Sequence, residues 1–197
     1  MHRLNSSFIL GYHGCSAQVA EQLLSGNAEF RVSGNDYDWL GPGIYFWQSN
    51  PVRALRFAEE KKRRDKAKWV PSVVGAAIDL GICLDLTTEV GIEEIRYAHQ
   101  LLADTFLAAG ETLPSNTGGP DSLIRGLDCA VVRQLHDIRE KMHQAPVDTV
   151  RGIFVEGQPA YPGAGFRSKT HVQIAVCNPA VIRGIFRVPK VDLEAIK

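Results

Sequence analysis

The chain has 197 residues, 45% of them hydrophobic and 22% charged, with 22 Lys and Arg against 22 Asp and Glu. This is the size of one domain and the composition of a soluble globule, which excludes a disordered chain, a collagen and a disulfide miniprotein. A net charge of zero disfavours a wholly basic nucleic-acid module, and no apolar run approaches the ~18 residues of a membrane span.

The zero is a sum over unlike parts. Residues 1–78 carry 10 basic and 7 acidic side chains, residues 79–128 carry 2 and 9, and residues 129–197 carry 10 and 6. The sequence therefore predicts a polarised molecule. Near the N-terminus only Phe8-Ile9-Leu10 is apolar, too short for a secretory signal, so a cytoplasmic location is expected. Cys15, Cys83, Cys129 and Cys177 are far apart, form no CxxC pair and lack clustered metal ligands. They read as buried free thiols in a reducing compartment, and no metal site is expected.

In chain order, Phe8 to His13 reads as a short strand. Ser16 is a candidate N-cap for a helix with Val19, Ala20, Leu23 and Leu24 on one face, stopped at Gly26-Asn27. Residues 31–43 are turn-rich, with Gly41-Pro42-Gly43 before the aromatic strand Ile44-Tyr45-Phe46-Trp47. Asn50-Pro51 starts a helix that runs to about Lys68. Its end, Glu59 to Lys68, holds six basic and three acidic residues, a solvated face or, with Trp69, a nucleic-acid surface. Val73 to Leu86 reads as a strand region bent at Gly75 and Gly81. Helical periodicity follows over 92–109 and 122–143, with a Pro/Gly loop over 113–120. Strands are expected at 152–156, 171–176 and 181–188, with a Gly/Pro loop over 158–167. Strands at both ends and helices between predict an α+β fold in a single domain, 1–197.

Three stretches carry chemistry. Tyr12-His13-Gly14 sits where a strand meets a helix. Leu40-Gly41-Pro42-Gly43-Ile44-Tyr45-Phe46 sets a tyrosine after two glycines, which permit close approach of a flat ligand. Thr170 to Val176 is a strand whose alternation puts His171 and Gln173 on one face. His-Gly, then Gly-x-Gly-Ile-Tyr-Phe, then a helix with an Ala-x-x-aromatic step resembles the poly(ADP-ribose) polymerase-like ADP-ribosyltransferases. The likeness continues through Val74 to Leu86 and, more loosely, over 150–188. Residues 87–148 stand outside it as a helical insertion.

The resemblance implies an ADP-ribosyltransferase-like split antiparallel sheet and NAD as co-substrate. It implies that His13 binds the adenine-ribose hydroxyl, that the Gly14 backbone holds the carboxamide and that Tyr45 stacks on nicotinamide. Phe57 would be the second stacking aromatic, with Tyr12 and Gly43 flanking the cofactor. The glutamate of polymerising members is absent from the late strand. Gln173 is the candidate for its slot, His171 the competitor, and Glu156, at the root of the 158–169 loop, a carboxylate able to orient an acceptor. Glutamine cannot serve as a base, so the resemblance points to mono-ADP-ribosylation of a macromolecule, nucleic acid or protein. It also implies a toxin or phage-defence effector, with an antitoxin or chaperone as a further partner. An NAD glycohydrolase, or a silent NAD or ADP-ribose-binding module, is the alternative.

Overall fold

The structure is a computed structural model that describes residues 8–194. In chain order its elements are β1 (Ile9–Ser16), α1 (Ala17–Leu24), β2 (Ile44–Gln48), α2 (Pro51–Arg64), β3 (Pro71–Ile78), β4 (Cys83–Asp85), α3 (Glu89–Ala109), β5 (Asn116–Thr117), β6 (Ile124–Arg125), α4 (Gly126–Lys141), β7 (Thr149–Phe154), β8 (His171–Val176), a 3-10 turn (Pro179–Val181), β9 (Ile182–Arg187) and α5 (Lys190–Leu193). The architecture is α+β, with both parallel and antiparallel strand pairs. The chain divides into two compact units. The first takes the described residues up to Arg31, Tyr45–Leu80 and those from Pro179 onward; the second is Val32–Ile44 with Gly81–Asn178.

The first unit is built on β1. It pairs antiparallel with β3 along its whole length, from Ile9↔Ile78 to Ser16↔Pro71. On its other side it meets β2, and β9 adds to β3. The helices start where local chemistry says they should. Ser16 Oγ accepts from Val19 N at 3.2 Å, and Asn50 Oδ1 accepts from Arg53 N at 3.0 Å with Pro51 in the first turn. α2 closes on Lys61, Lys62, Arg63 and Arg64, cations that suit the negative end of the helix dipole. One cluster joins Tyr12, Trp47, Ala54, Val73 and Val188; a second joins Cys15, Ala20, Leu23 and Val74.

In the second unit β7 pairs parallel with β4 and antiparallel with β8. Two parallel neighbours need a long crossover, and α3 and α4 supply it. The stretch 87–148 is thus the connection between β4 and β7. Leu40, Ile44, Cys129, Val132, Val150, Ile174 and Val176 are all essentially sealed from solvent. α4 also holds the loop before β2. Arg133 Nη2 donates to the Gly34 and Asn35 carbonyls at 2.9 and 3.2 Å, and Gly41, at φ +74, brings its backbone onto Val132.

Several expectations are corrected. Gly75 is no bend: it lies inside β3, where a Cβ would stand 2.3 Å from the Phe186 ring of β9. The bend is at Gly81, φ +56, where the chain passes from one unit to the other. The helix expected from residue 122 begins at Gly126, because 116–117 and 124–125 pair as a small ribbon. Asn116 Oδ1 then accepts from Leu127 N and Asp128 N, capping α4 from outside the helix. The strand expected at 152–156 is drawn back to 149–154, since buried Thr149 and Val150 pair with Val176 and Ala175. Cys83 and Cys177 are half-buried and Cys15 and Cys129 buried; all four are free.

Charge follows the units. The described residues of the first carry 12 basic and 8 acidic side chains, those of the second 8 and 14. No helix among the described residues is long and apolar enough to cross a membrane.

Candidate functional site

Five of the expected site residues, Tyr12, His13, Gly14, Tyr45 and Phe57, belong to the first unit. The β1–β2 ladder consists of Gly11↔Gln48 and Tyr12↔Trp47, and stops there. At the next step an imidazole reaches across: His13 Nδ1 is 2.9 Å from the Tyr45 carbonyl oxygen. A carbonyl only accepts, so Nδ1 carries the proton and Nε2 keeps a lone pair. The half-buried His13 ring lies against Phe30 and Phe46, with centroids 5.4 and 5.7 Å away. Burial there pushes its pKa below 6.5, the Tyr45 bond opposes the shift, and the charge of Lys61 adds to it. His13 is accordingly a neutral acceptor at physiological pH.

Gly14 lies under α2. A Cβ at this position would stand 2.2 Å from the Ala54 carbonyl oxygen. Tyr12 and Phe57 are committed to the core. Tyr12 is 8% exposed and edge-on to Phe186, while Phe57 packs tilted on Trp47 with ring centroids 4.7 Å apart. Tyr45 is half-buried on β2.

The depressed pKa of His13, together with that of His136, sets a pH dependence. Both side chains stay neutral when folded, whereas the unfolded chain protonates near the ordinary value of 6.5. Stability is complete above that value and is lost as pH falls below it toward the folded pKa values. Urea unfolding should show a lower midpoint at pH 5.5 than at pH 7.5, with the difference reduced in His13→Gln; a midpoint flat across this range would contradict the burial of both rings.

The remaining candidates, Gly43, Glu156, His171 and Gln173, belong to the second unit. Gly43 brings its backbone against Ala175, whose Cβ would be 2.9 Å from an added Cβ. The close approach expected for a ligand is filled, on that side, by protein. In the β7–β8 ladder Phe154 faces His171 and Gly152 faces Gln173. His171 stacks on Phe154 at 5.6 Å and 20°, and its Nδ1 donates to the Lys169 carbonyl at 2.6 Å. Trp39 Nε1 donates to Gln173 Oε1 at 2.6 Å. Indole N–H is a donor only, so this bond fixes which end of the amide is oxygen. Glu156 is buried, 6% exposed, and pairs with Lys169 Nζ at 3.3 Å.

The structure therefore gathers His171 and Gln173 into one cluster with Trp39 and Phe154, and Arg125 caps it with its guanidinium 4.8 Å from the Phe154 centroid. Sequence reading missed Phe154 and Arg125 as parts of this cluster. The available signal was Gly152, a glycine inside an apolar strand. A Cβ there would stand 2.7 Å from Trp39 Cη2, so its absence seats the indole. Asp128 bonds Arg125 Nη1 at 2.8 Å and Asn116 Nδ2 at 2.9 Å.

Among the described residues no group of three or more His, Cys, Asp or Glu could hold a metal ion. Comparison with protein-family models, curated proteins and solved structures returned no match.

Proposed function

We propose that the protein is an NAD-dependent mono-ADP-ribosyltransferase. The observation that carries this reading is the place where the β1–β2 ladder stops, with the neutral His13 imidazole bonded to the Tyr45 carbonyl. A neutral imidazole with its proton fixed on Nδ1 offers Nε2 to a sugar hydroxyl, the Gly14 backbone follows it on β1, and Tyr45 stands on the neighbouring β2. In the reaction the ribose C1′–nitrogen bond breaks and nicotinamide leaves with the electron pair. A nucleophilic oxygen or nitrogen of the acceptor bonds C1′ and releases its proton to solvent. The transition state is oxocarbenium-like, so holding both ends of the dinucleotide lowers the barrier by positioning.

Where polymerising members of the family that the chain resembles carry a glutamate on the late strand, this chain has Gln173. Its amide, oriented by Trp39, has no basicity, which favours a single transfer over chain growth. The acceptor is a macromolecule, nucleic acid or protein, and a toxin or phage-defence role fits such an activity.

Incubation with adenine-labelled NAD, alone and with lysate treated by nuclease or protease, tests the reading. Label on macromolecular material together with free nicotinamide is expected. Free ADP-ribose without an acceptor would replace it with a glycohydrolase, and NAD binding without nicotinamide release with a binding module.

A further inference from the structure

We propose that the second unit carries a small-molecule site in its helical crossover, built for an amphipathic anion: an aryl or alkyl body bearing one carboxylate or sulfonate. A cavity of about 480 Å³ opens between α3 and α4, inside the usual range for ligand pockets. Its wall is mainly apolar, with Ile92 and Ile95 from α3, Leu127 and Val131 from α4, and Ile153 from β7, and His99 of α3 also borders it. Two of these side chains remain substantially in water, Ile92 at 42% and Ile153 at 50% exposure, although they border a concavity. An apolar ligand would take both out of water.

Trp39 makes the pocket preorganised. Its indole lines the cavity while held on three sides, by the hydrogen bond to Gln173, the edge contact with Phe154 at 5.1 Å and the seat over Gly152. Charge then selects the ligand. The lining contains two guanidiniums, Arg96 and Arg125, and one carboxylate, Asp128. Asp128 is already neutralised by Arg125. Among the described residues Arg96 pairs with Glu93, a contact in which both side chains are about two-thirds exposed, at 69% and 66%. Such a surface pair is worth little, so Arg96 can turn to an incoming anion at small cost. This site rests on the cavity and its lining rather than on the NAD reading; the two share only the Trp39–Gln173 hydrogen bond, which every variant below leaves in place.

The probe is 8-anilinonaphthalene-1-sulfonate, titrated into the full chain by calorimetry. One saturable site per chain is expected. Ile92→Asp, at the exposed rim, should weaken binding about tenfold or more, and Arg96→Gln severalfold. Val131→Trp should block the site by filling it. Circular dichroism and thermal unfolding of each variant confirm that it is folded; should Val131→Trp not fold, Ile92→Asp still decides. N-phenyl-1-naphthylamine, the same body without the sulfonate, should bind at least about tenfold more weakly. Unsaturable binding, affinity unmoved by Ile92→Asp in a folded variant, or equal affinity for the uncharged probe overturns the proposal. NAD turnover is not a readout here, so the two readings fail separately.

Discussion

His13→Ala is expected to lower NAD-dependent labelling by about 100-fold or more, as misplacement of a bound substrate by an ångström can do, while the fold persists. Among the described residues the side chain hydrogen-bonds the Tyr45 carbonyl and its ring lies against Phe30 and Phe46. Losing the bond should cost about 1 kcal/mol, with a further cavity term, which a folded domain tolerates. The activity loss should be far larger than that structural loss, because Nε2 is the acceptor assigned to substrate. Tyr45→Ala should behave alike. Radiolabel transfer and urea unfolding, measured on the same preparations, separate the two effects. Wild-type turnover in either folded variant would remove these residues from the site.

Gly14→Ala should destabilise the protein by about 3 kcal/mol, at the upper end of overpacking costs. The added methyl would stand 2.2 Å from the Ala54 carbonyl oxygen and 3.3 Å from the Ala58 Cβ. Backbone inside a helix cannot swing aside as a long side chain can, so β1 and α2 would have to separate. Gly184→Ala on β9 is the control: nothing lies within 4 Å of the place its methyl would take, so a change within about 0.5 kcal/mol is expected. Equal unfolding midpoints for the two variants would show that β1 does not pack this closely under α2. The same measurement bears on motif reading. A glycine after His13 has a sufficient reason in helix–strand packing, whatever ligand its backbone also holds.

Much of the local architecture was legible. Asn50-Pro51 and Ser16 announce their helices because a cap needs only a side-chain oxygen and an amide three residues away. The aromatic run at 44–47 and the apolar run at 171–176 announce strands through composition alone. The boundary of α4 was not legible, since Asn116 caps it from 11 residues upstream and no local pattern records that bond. Gly75 was misread for the same reason. Its cause, the Phe186 ring, enters β3's surroundings only when β9 pairs with that strand.

The candidate site divides along the same line. Alternation placed His171 and Gln173 on one face, and both are buried there. Their partners lay beyond sequence: Trp39 and Gln173 are 134 residues apart, and Glu156 and Lys169 meet through the fold of the loop between them. By itself the sequence determined the elements whose signals are short-range, the α+β class and an uneven distribution of charge. The tertiary structure decided the protonation pattern of His13, the orientation of the Gln173 amide and the partition of charge between the two units. Capping and alternation act through covalent neighbours, whereas desolvation and long-range hydrogen bonding exist only after distant segments have met.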